Sequence, residues 1–187
     1  MLPAEAAIFS LVTAMTLDIV RLMLFPALMV FAAVSDLFTM TISNRISLLL
    51  VAGFALLAIF GGMSLETVAM HLAAGGLVLV VAFICFAFGW IGGGDAKLAA
   101  ATALWFGFDY LMGYLAYAAV AGGVLTLLIL QFRTWPLPKP LLSQAWAHRL
   151  HDRTSGVPYG IALAAGALLI YPETEWIKAI DISHFIG

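Results

Sequence analysis

The chain has 187 residues, 64% of them hydrophobic and 10% charged, with a formal net charge of −2 and a mean hydropathy of +1.10. Soluble domains carry about 25% charged residues, so this composition excludes an ordinary soluble domain, and the slight acidic excess leaves no basic surface for nucleic acid. What remains is an all-α, polytopic membrane protein, a single domain over residues 1–187 with the lipid bilayer as its partner.

A spanning helix needs about 20 mostly apolar residues. Six segments come close: 18–34, 46–62, 68–91, 96–108, 110–131 and 157–171. They predict a bundle of about six transmembrane helices, and no run alternates with the period of a strand. The N-terminus, from Met1 to Glu5, lacks the positive region of a secretory signal and is expected to be retained. Residues 6–15 are also apolar and either extend the first helix or lie along the interface. Asp36 follows the first apolar run. Thr39, Thr41, Ser43, Asn44 and Arg45 then make a polar turn, where Ser43-Asn44 can cap the second helix and Asn44 can donate to a carboxylate. The third segment contains Cys85, expected to fill the core. This lone cysteine excludes an intramolecular disulfide, and no Cys-x-x-Cys zinc signature is present.

Gly92-Gly93-Gly94-Asp95 separates the third and fourth segments. The fourth is short, so it tilts little, packs inside the bundle or borrows residues from the glycine turn. The fifth leads into a loop, 132–156, with a proline-rich start at Trp135-Pro-Leu-Pro-Lys-Pro140 and a stretch, 141–150, suited to a short helix on the membrane surface. Trp90, Trp105, Trp135 and Trp176 fall near expected helix ends, as interfacial aromatics do. Gly75-Gly76, Gly122-Gly123, Gly160 and Gly166 are expected to allow close helix packing.

Lys and Arg set the orientation. The loop 132–156 holds Arg133, Lys139, Arg149 and Arg153, four of the eight basic residues, and is placed in the cytoplasm. The tail carries Glu173, Glu175 and Asp181 against Lys178 and is placed outside. Threading six spans back from this loop puts the turns bearing Asp36 and Asp95 at the cytoplasmic face. The loop then lies on the side of substrate entry, with Arg133 and Arg149 as candidates for substrate selection.

Ionisable side chains at membrane depth cost roughly 2.5–3.5 kcal/mol on insertion scales and mark functional sites. Asp36 and Asp95 are the two that stand out. Read as structure alone, each is a polar residue at a helix end, and Asp95 is an N-cap. Three glycines exceed the needs of a cap and suit a place where another backbone must pass close by. Two carboxylates that share one proton can activate water and cut a peptide bond. Lys97, two residues on, either interacts with an aspartate or snorkels to the interface, the second being favoured. His148 and His151 share a helix face, but with only Asp152 near as a third ligand they read as a solvated patch, and no metal is assigned. His71 and His184 stand alone. No Gly-x-Ser-x-Gly elbow exists for a serine hydrolase.

Taken in order, Asp36 with Ile42-Ser-Asn44, then Gly92-x-Gly94-Asp95-x-Lys97, then Val157-Pro158-Tyr159-Gly160 resembles the type IV prepilin peptidases, membrane aspartyl proteases of the Gly-x-Gly-Asp class, and most closely the short forms that serve tight-adherence (Flp) pili. The resemblance covers most of the chain. It implies Asp36 and Asp95 as the catalytic pair, with Gly92, Gly94, Lys97, Asn44, Pro158 and Tyr159 supporting them and no cofactor. It implies a substrate, a prepilin-like membrane precursor, that loses a short basic leader at the cytoplasmic face of a bacterial inner membrane. Ser43 departs from the pattern, since many members have proline before the asparagine. The zinc-binding domain of members that also N-methylate the product is missing, which puts methylation in doubt. Two readings from other classes stand beside this one: a carboxylate-based ion- or proton-coupled transporter subunit, and a non-catalytic pilus or secretion assembly protein. A transporter needs a carboxylate deeper in the bilayer, and a scaffold needs neither aspartate.

Overall fold

The computed structural model describes residues 3–180; Met1, Asp181 and His184 lie outside them. The described residues form helices α1 (Pro3–Thr39), α2 (Asn44–Phe60), α3 (Leu65–Ala87), α4 (Gly93–Phe132), α5 (Ala145–His151), α6 (Gly160–Ile170) and α7 (Glu175–Lys178), with 3-10 turns at Lys139–Leu141 and Tyr171–Glu173, and no strand. Three stretches are long and apolar enough to cross a membrane: Leu11–Thr39, Leu65–Ala87 and Gly93–Phe132. Asn44–Phe60 and Gly160–Glu173 are shorter apolar helices. Large apolar side chains such as Leu48, Val80 and Leu127 face outward, the arrangement expected where lipid replaces water. The protein is an all-α membrane helical bundle.

Residues 6–15 extend the first helix rather than forming a separate interfacial one, and α1 continues past the expected end at Val34 to Thr39. Asp36 therefore belongs to a helix rather than to the turn after it. Asp18 is likewise inside α1 and buried, with Arg21 Nη1 3.1 Å from its Oδ1. An ion pair one helical turn apart offsets part of the cost of holding both charges among apolar helices.

A straight helix of the length of α4 would reach about 60 Å, far more than a bilayer. The chain reverses instead at Gly107, whose φ of 58° and ψ of −168° are non-helical. The contacts at the two ends require this reversal. Asp95 shares a cleft with Asp36. Gly160 donates to that same Asp36, and its neighbour Tyr159 lies against Gly122. Residues 95 and 122 are thus at one end of the bundle, where a straight helix would hold them about 40 Å apart. The two limbs, 93–106 and 108–132, correspond to the segments expected at 96–108 and 110–131. The first limb borrows Gly93 to Asp95 and packs inside the bundle, with Ala96 and every residue from Leu98 to Gly107 buried.

A helix that stops inside a bundle leaves carbonyls without intrahelical partners. Two of these meet side chains: Leu104 O is 2.8 Å from His71 Nδ1, and Trp105 O accepts from Trp176 Nε1 at 2.7 Å. His71, isolated in the sequence, thus serves the reversal. The same contacts correct the expectation for two tryptophans. Trp105 and Trp176 are buried core residues rather than interfacial anchors. Trp105 Nε1 donates to Leu50 O at 2.9 Å, and its ring sits 5.0 Å from those of Phe25 and Trp176. An indole can be buried this way because its only polar atom has a partner. Trp90 and Trp135 are exposed, as expected. Cys85 is partly exposed rather than core filler.

Of the two adjacent pairs only Gly75 and Gly122 are needed for space, while Gly160 and Gly166 both are. A Cβ at Gly75 would come 3.1 Å from Leu104 Cβ, and one at Gly166 would come 2.6 Å from the backbone nitrogen of Ala118, whereas Gly76 and Gly123 face open space.

The loop after α4 folds back over the aspartate end. Arg133 donates to the carbonyls of Leu150, Ser155 and Gly156, at 2.8, 3.0 and 3.0 Å. Arg149 donates to Phe38 O, and Trp146 meets the Phe38 ring edge-on. The surface helix begins at Ala145, after the 3-10 turn, rather than at Leu141.

Two outcomes follow. Gly107→Ala forces a side chain into a region of φ and ψ that only glycine occupies comfortably, at a cost of about 1–3 kcal/mol. It is expected to lower stability by that amount in denaturant unfolding of the purified protein, while Gly76→Ala, in open space, lowers it by none. Arg133→Ala removes three donations to the loop backbone. Limited proteolysis is expected to cut faster between residues 133 and 156, with the helical core still protected.

Candidate functional site

Asp36 lies in the last turns of α1 and is buried. The helix ends four residues later at Met40, which adopts a positive φ of 53°. Its N–H donates to Asp36 O at 2.8 Å. Left-handed backbone is unusual for a residue with a side chain, and here it turns the chain abruptly toward α2. Thr39 Oγ1 accompanies the turn, donating to Ser35 O at 2.7 Å and lying 2.8 Å from Thr41 Oγ1. Ser43 caps α2, accepting from Arg45 N at 3.3 Å, as expected. Asn44 does not donate to a carboxylate. Its Oδ1 accepts from Lys97 Nζ at 2.8 Å, tying the start of α2 to the start of α4. Lys97 is itself exposed, with its ammonium held by Asn44 at the cleft end of the bundle.

Asp95 is the third residue of α4 and not its cap; the N-cap is Gly92, which has no side chain to do the capping. A carboxylate in the first turn is favourably placed against the helix dipole. The glycine triplet serves space rather than unusual backbone angles. Positive φ occurs just upstream, at Gly89. A Cβ at Gly92 would fall 2.9 Å from Asp95 Oδ2, one at Gly93 would fall 3.3 Å from the Phe86 ring, and one at Gly94 would fall 3.2 Å from Ile42 Cβ and 3.4 Å from the Ile42 backbone.

The two aspartates, contributed by α1 and α4, face one cleft of about 290 Å³, lined also by Met40, Thr41, Ile42, Gly92, Gly93 and Gly94. The third element of the site is the start of α6. Gly160 N–H donates to Asp36 Oδ2 at 2.7 Å. Pro158 is fully buried beside it, and the Tyr159 ring lies against Gly122 of the second limb of α4.

The structure thus gathers Asp36, Asp95, Gly92 and Gly94 around one cavity, sets Asn44 and Lys97 together beside it, and places Pro158 and Tyr159 on the helix whose first amide touches Asp36. Sequence reasoning missed Met40 and Thr41 as lining residues. Their only signal was their position between two recognisable turns. The histidine pair lies elsewhere. His148 Nε2 is 2.6 Å from Leu142 O, and His151 packs edge-on against Phe132. Asp152 is engaged by the backbone N–H and hydroxyl of Thr154, which hold its carboxyl below the usual carboxylate range. Among the described residues, no three His, Cys, Asp or Glu side chains gather as a metal site would require.

A cleft of this kind offers two carboxylates and little else that titrates, at the end of a bundle. No curated protein and no solved structure gives a match to the chain. The model of the type IV leader peptidase family matches residues 23–127, more than half of the 187-residue chain, a range that contains both aspartates, the glycine triplet and the reversal at Gly107. The chain belongs to the type IV leader peptidase family.

Proposed function

We propose that this peptidase is an aspartyl endopeptidase in which Asp36 and Asp95 form the catalytic pair. The observation that carries the reading is the single cleft that both carboxylates line, with a wall of three side-chain-free residues, 92–94, beside them. Two adjacent carboxylates do not readily ionise together, so the pair holds one proton between them and titrates as a unit. The ionised member takes a proton from water. The protonated member donates to the oxygen of the scissile carbonyl, and water attacks its carbon. Collapse of the tetrahedral intermediate returns a proton to the leaving amine. The glycine wall lets the substrate backbone lie close to both carboxylates.

The substrate is a prepilin-like membrane precursor, cut between a short basic leader and an apolar helix. A protease buried in a helical bundle, with its cleft at one end, suits a substrate whose cleavage site sits at one end of a membrane helix. The cleft end is the cytoplasmic end of a multi-pass protein in a bacterial inner membrane. Supporting this, the loop bearing half of the basic residues is fastened to that end through Arg149 and Phe38, and basic loops stay in the cytoplasm. With Arg133 committed to the loop's own carbonyls, its part in substrate selection is to shape the loop. The chemistry requires no metal or other cofactor, and N-methylation of the product is not assigned to this chain.

The test is cleavage of a pilin precursor co-expressed from the same genome, followed by gel mobility and N-terminal sequencing at matched membrane levels. Wild type is expected to remove the leader. Asp36→Asn and Asp95→Asn each keep shape but lose the acid–base function, and each is expected to slow cleavage by at least about 100-fold. Normal cleavage by either variant would overturn the reading.

A further inference from the structure

We propose that Gly160 is the positioning residue for Asp36, and that it must be glycine because the N-terminus of α6 has to close onto that carboxylate with Ile42 packed alongside; this rests on the aspartyl reading above. Three observations combine. First, Asp36 sits within a helix whose amides serve the helix itself, so no donor from α1 is available to orient its carboxylate. Gly160 N–H supplies one, at 2.7 Å to Oδ2, from a residue 124 positions away. Second, the approach leaves no room for a side chain. A Cβ on Gly160 would stand 2.7 Å from Ile42 Cδ1, 2.8 Å from Asp36 Oδ2 and 3.1 Å from Asp36 Cβ. Two of these three collisions are with the aspartate itself, so a methyl group there would move Asp36 or withdraw the amide. The backbone of Gly160 is not in the left-handed region, so space alone demands glycine.

Third, Ile42 is shared between the two halves of the site. On one side it meets Gly160, and on the other its Cβ and backbone meet Gly94, beside Asp95. It is nearly fully buried and lines the cleft. Gly160, Ile42 and Gly94 thus form a line of close contacts from the Asp36 donor to the turn that carries Asp95, and the two carboxylates are spaced by it.

The hydrogen bond also assigns the oxygens of Asp36. An amide can only donate, so Oδ2 is an acceptor whenever the bond is made. A carboxylic acid accepts better at its carbonyl oxygen than at its hydroxyl, so a proton on Asp36 is favoured on Oδ1, the oxygen without the Gly160 bond, and Oδ1 is the atom best placed to exchange protons with water or substrate. A change at Gly160 therefore acts on the chemical step through Asp36, not on the grip of the enzyme on its precursor.

The experiment measures kcat, KM and the pH–rate profile of purified enzyme in lipid with a precursor substrate, for wild type, Gly160→Ala, Gly160→Ala with Ile42→Val, and Gly123→Ala as a control in open space. Misplacement of a catalytic group by about 1 Å costs on the order of 100-fold. Gly160→Ala is expected to lose about that much in kcat, with KM changed less than about threefold and a displaced pH–rate profile. Ile42→Val removes the Cδ1 collision and leaves the collision with Asp36. If the loss acts through Asp36, the double variant stays slow. Recovery in the double variant, or a loss confined to KM or to the amount of folded enzyme, would show Gly160 to be a packing residue and overturn the proposal, as would a Gly160→Ala enzyme with unchanged kcat and pH profile. The two readings fail separately. If Asp36→Asn is inactive while Gly160→Ala is normal, only this inference falls. If Asp36→Asn is fully active, the aspartyl reading falls first and takes this inference with it.

Discussion

A carboxylate buried within a membrane helix has to find its hydrogen-bond donor outside that helix, because the helix spends its own amides on its own carbonyls. Asp36 finds it at the first turn of α6, where amides are unspent. That one contact has wide consequences. It brings the short apolar helix α6 against α1, it demands a side-chain-free residue at the point of closure, and it fixes the end of the bundle at which the cleft lies.

The reversal at Gly107 is the second half of the same construction. Without it, the start of α4 and the start of α6 would lie at opposite ends of a rod about 60 Å long. With it, the limb that begins at Asp95 is enclosed by the other helices, and its small residues, Ala99 to Ala103, allow close contact on all sides. The carbonyls freed by the reversal are met by His71 and Trp176. The end of the bundle away from the cleft is thus held by directed hydrogen bonds among aromatic rings, and the cleft end by glycines and one isoleucine. An apolar bundle in lipid gains little from hydrophobic burial between its own helices, so close packing and such hydrogen bonds carry the specificity of the arrangement.

The polar residues of the chain divide accordingly. Asp18 with Arg21, His71, Trp105 and Trp176 are partnered within the bundle and hold it. Asp36 and Asp95 share a cavity, one with a single backbone donor and the other in the first turn of a helix. A pair so placed is costly to hold, which marks the cleft as a candidate functional site.

The sequence by itself determined the membrane class, the rough placement of the apolar segments, and the two aspartates with their glycine and Pro-Tyr-Gly surroundings. These are properties of composition and of short runs, which local hydropathy and spacing express directly. It also divided the long apolar stretch at Asp109, two residues past the reversal at Gly107. Tertiary structure decided the rest. Trp105 and Trp176 look like interfacial residues in the sequence and become core residues only because carbonyls from distant helices accept their N–H groups. Asn44 could have donated to a carboxylate, and instead accepts from Lys97 once α2 and α4 begin side by side. Gly160 is one of seventeen glycines, and although it ends the Pro-Tyr-Gly motif, nothing in that motif says what its amide touches. What distinguishes it is the carboxylate of Asp36, which only the folded chain brings to its amide.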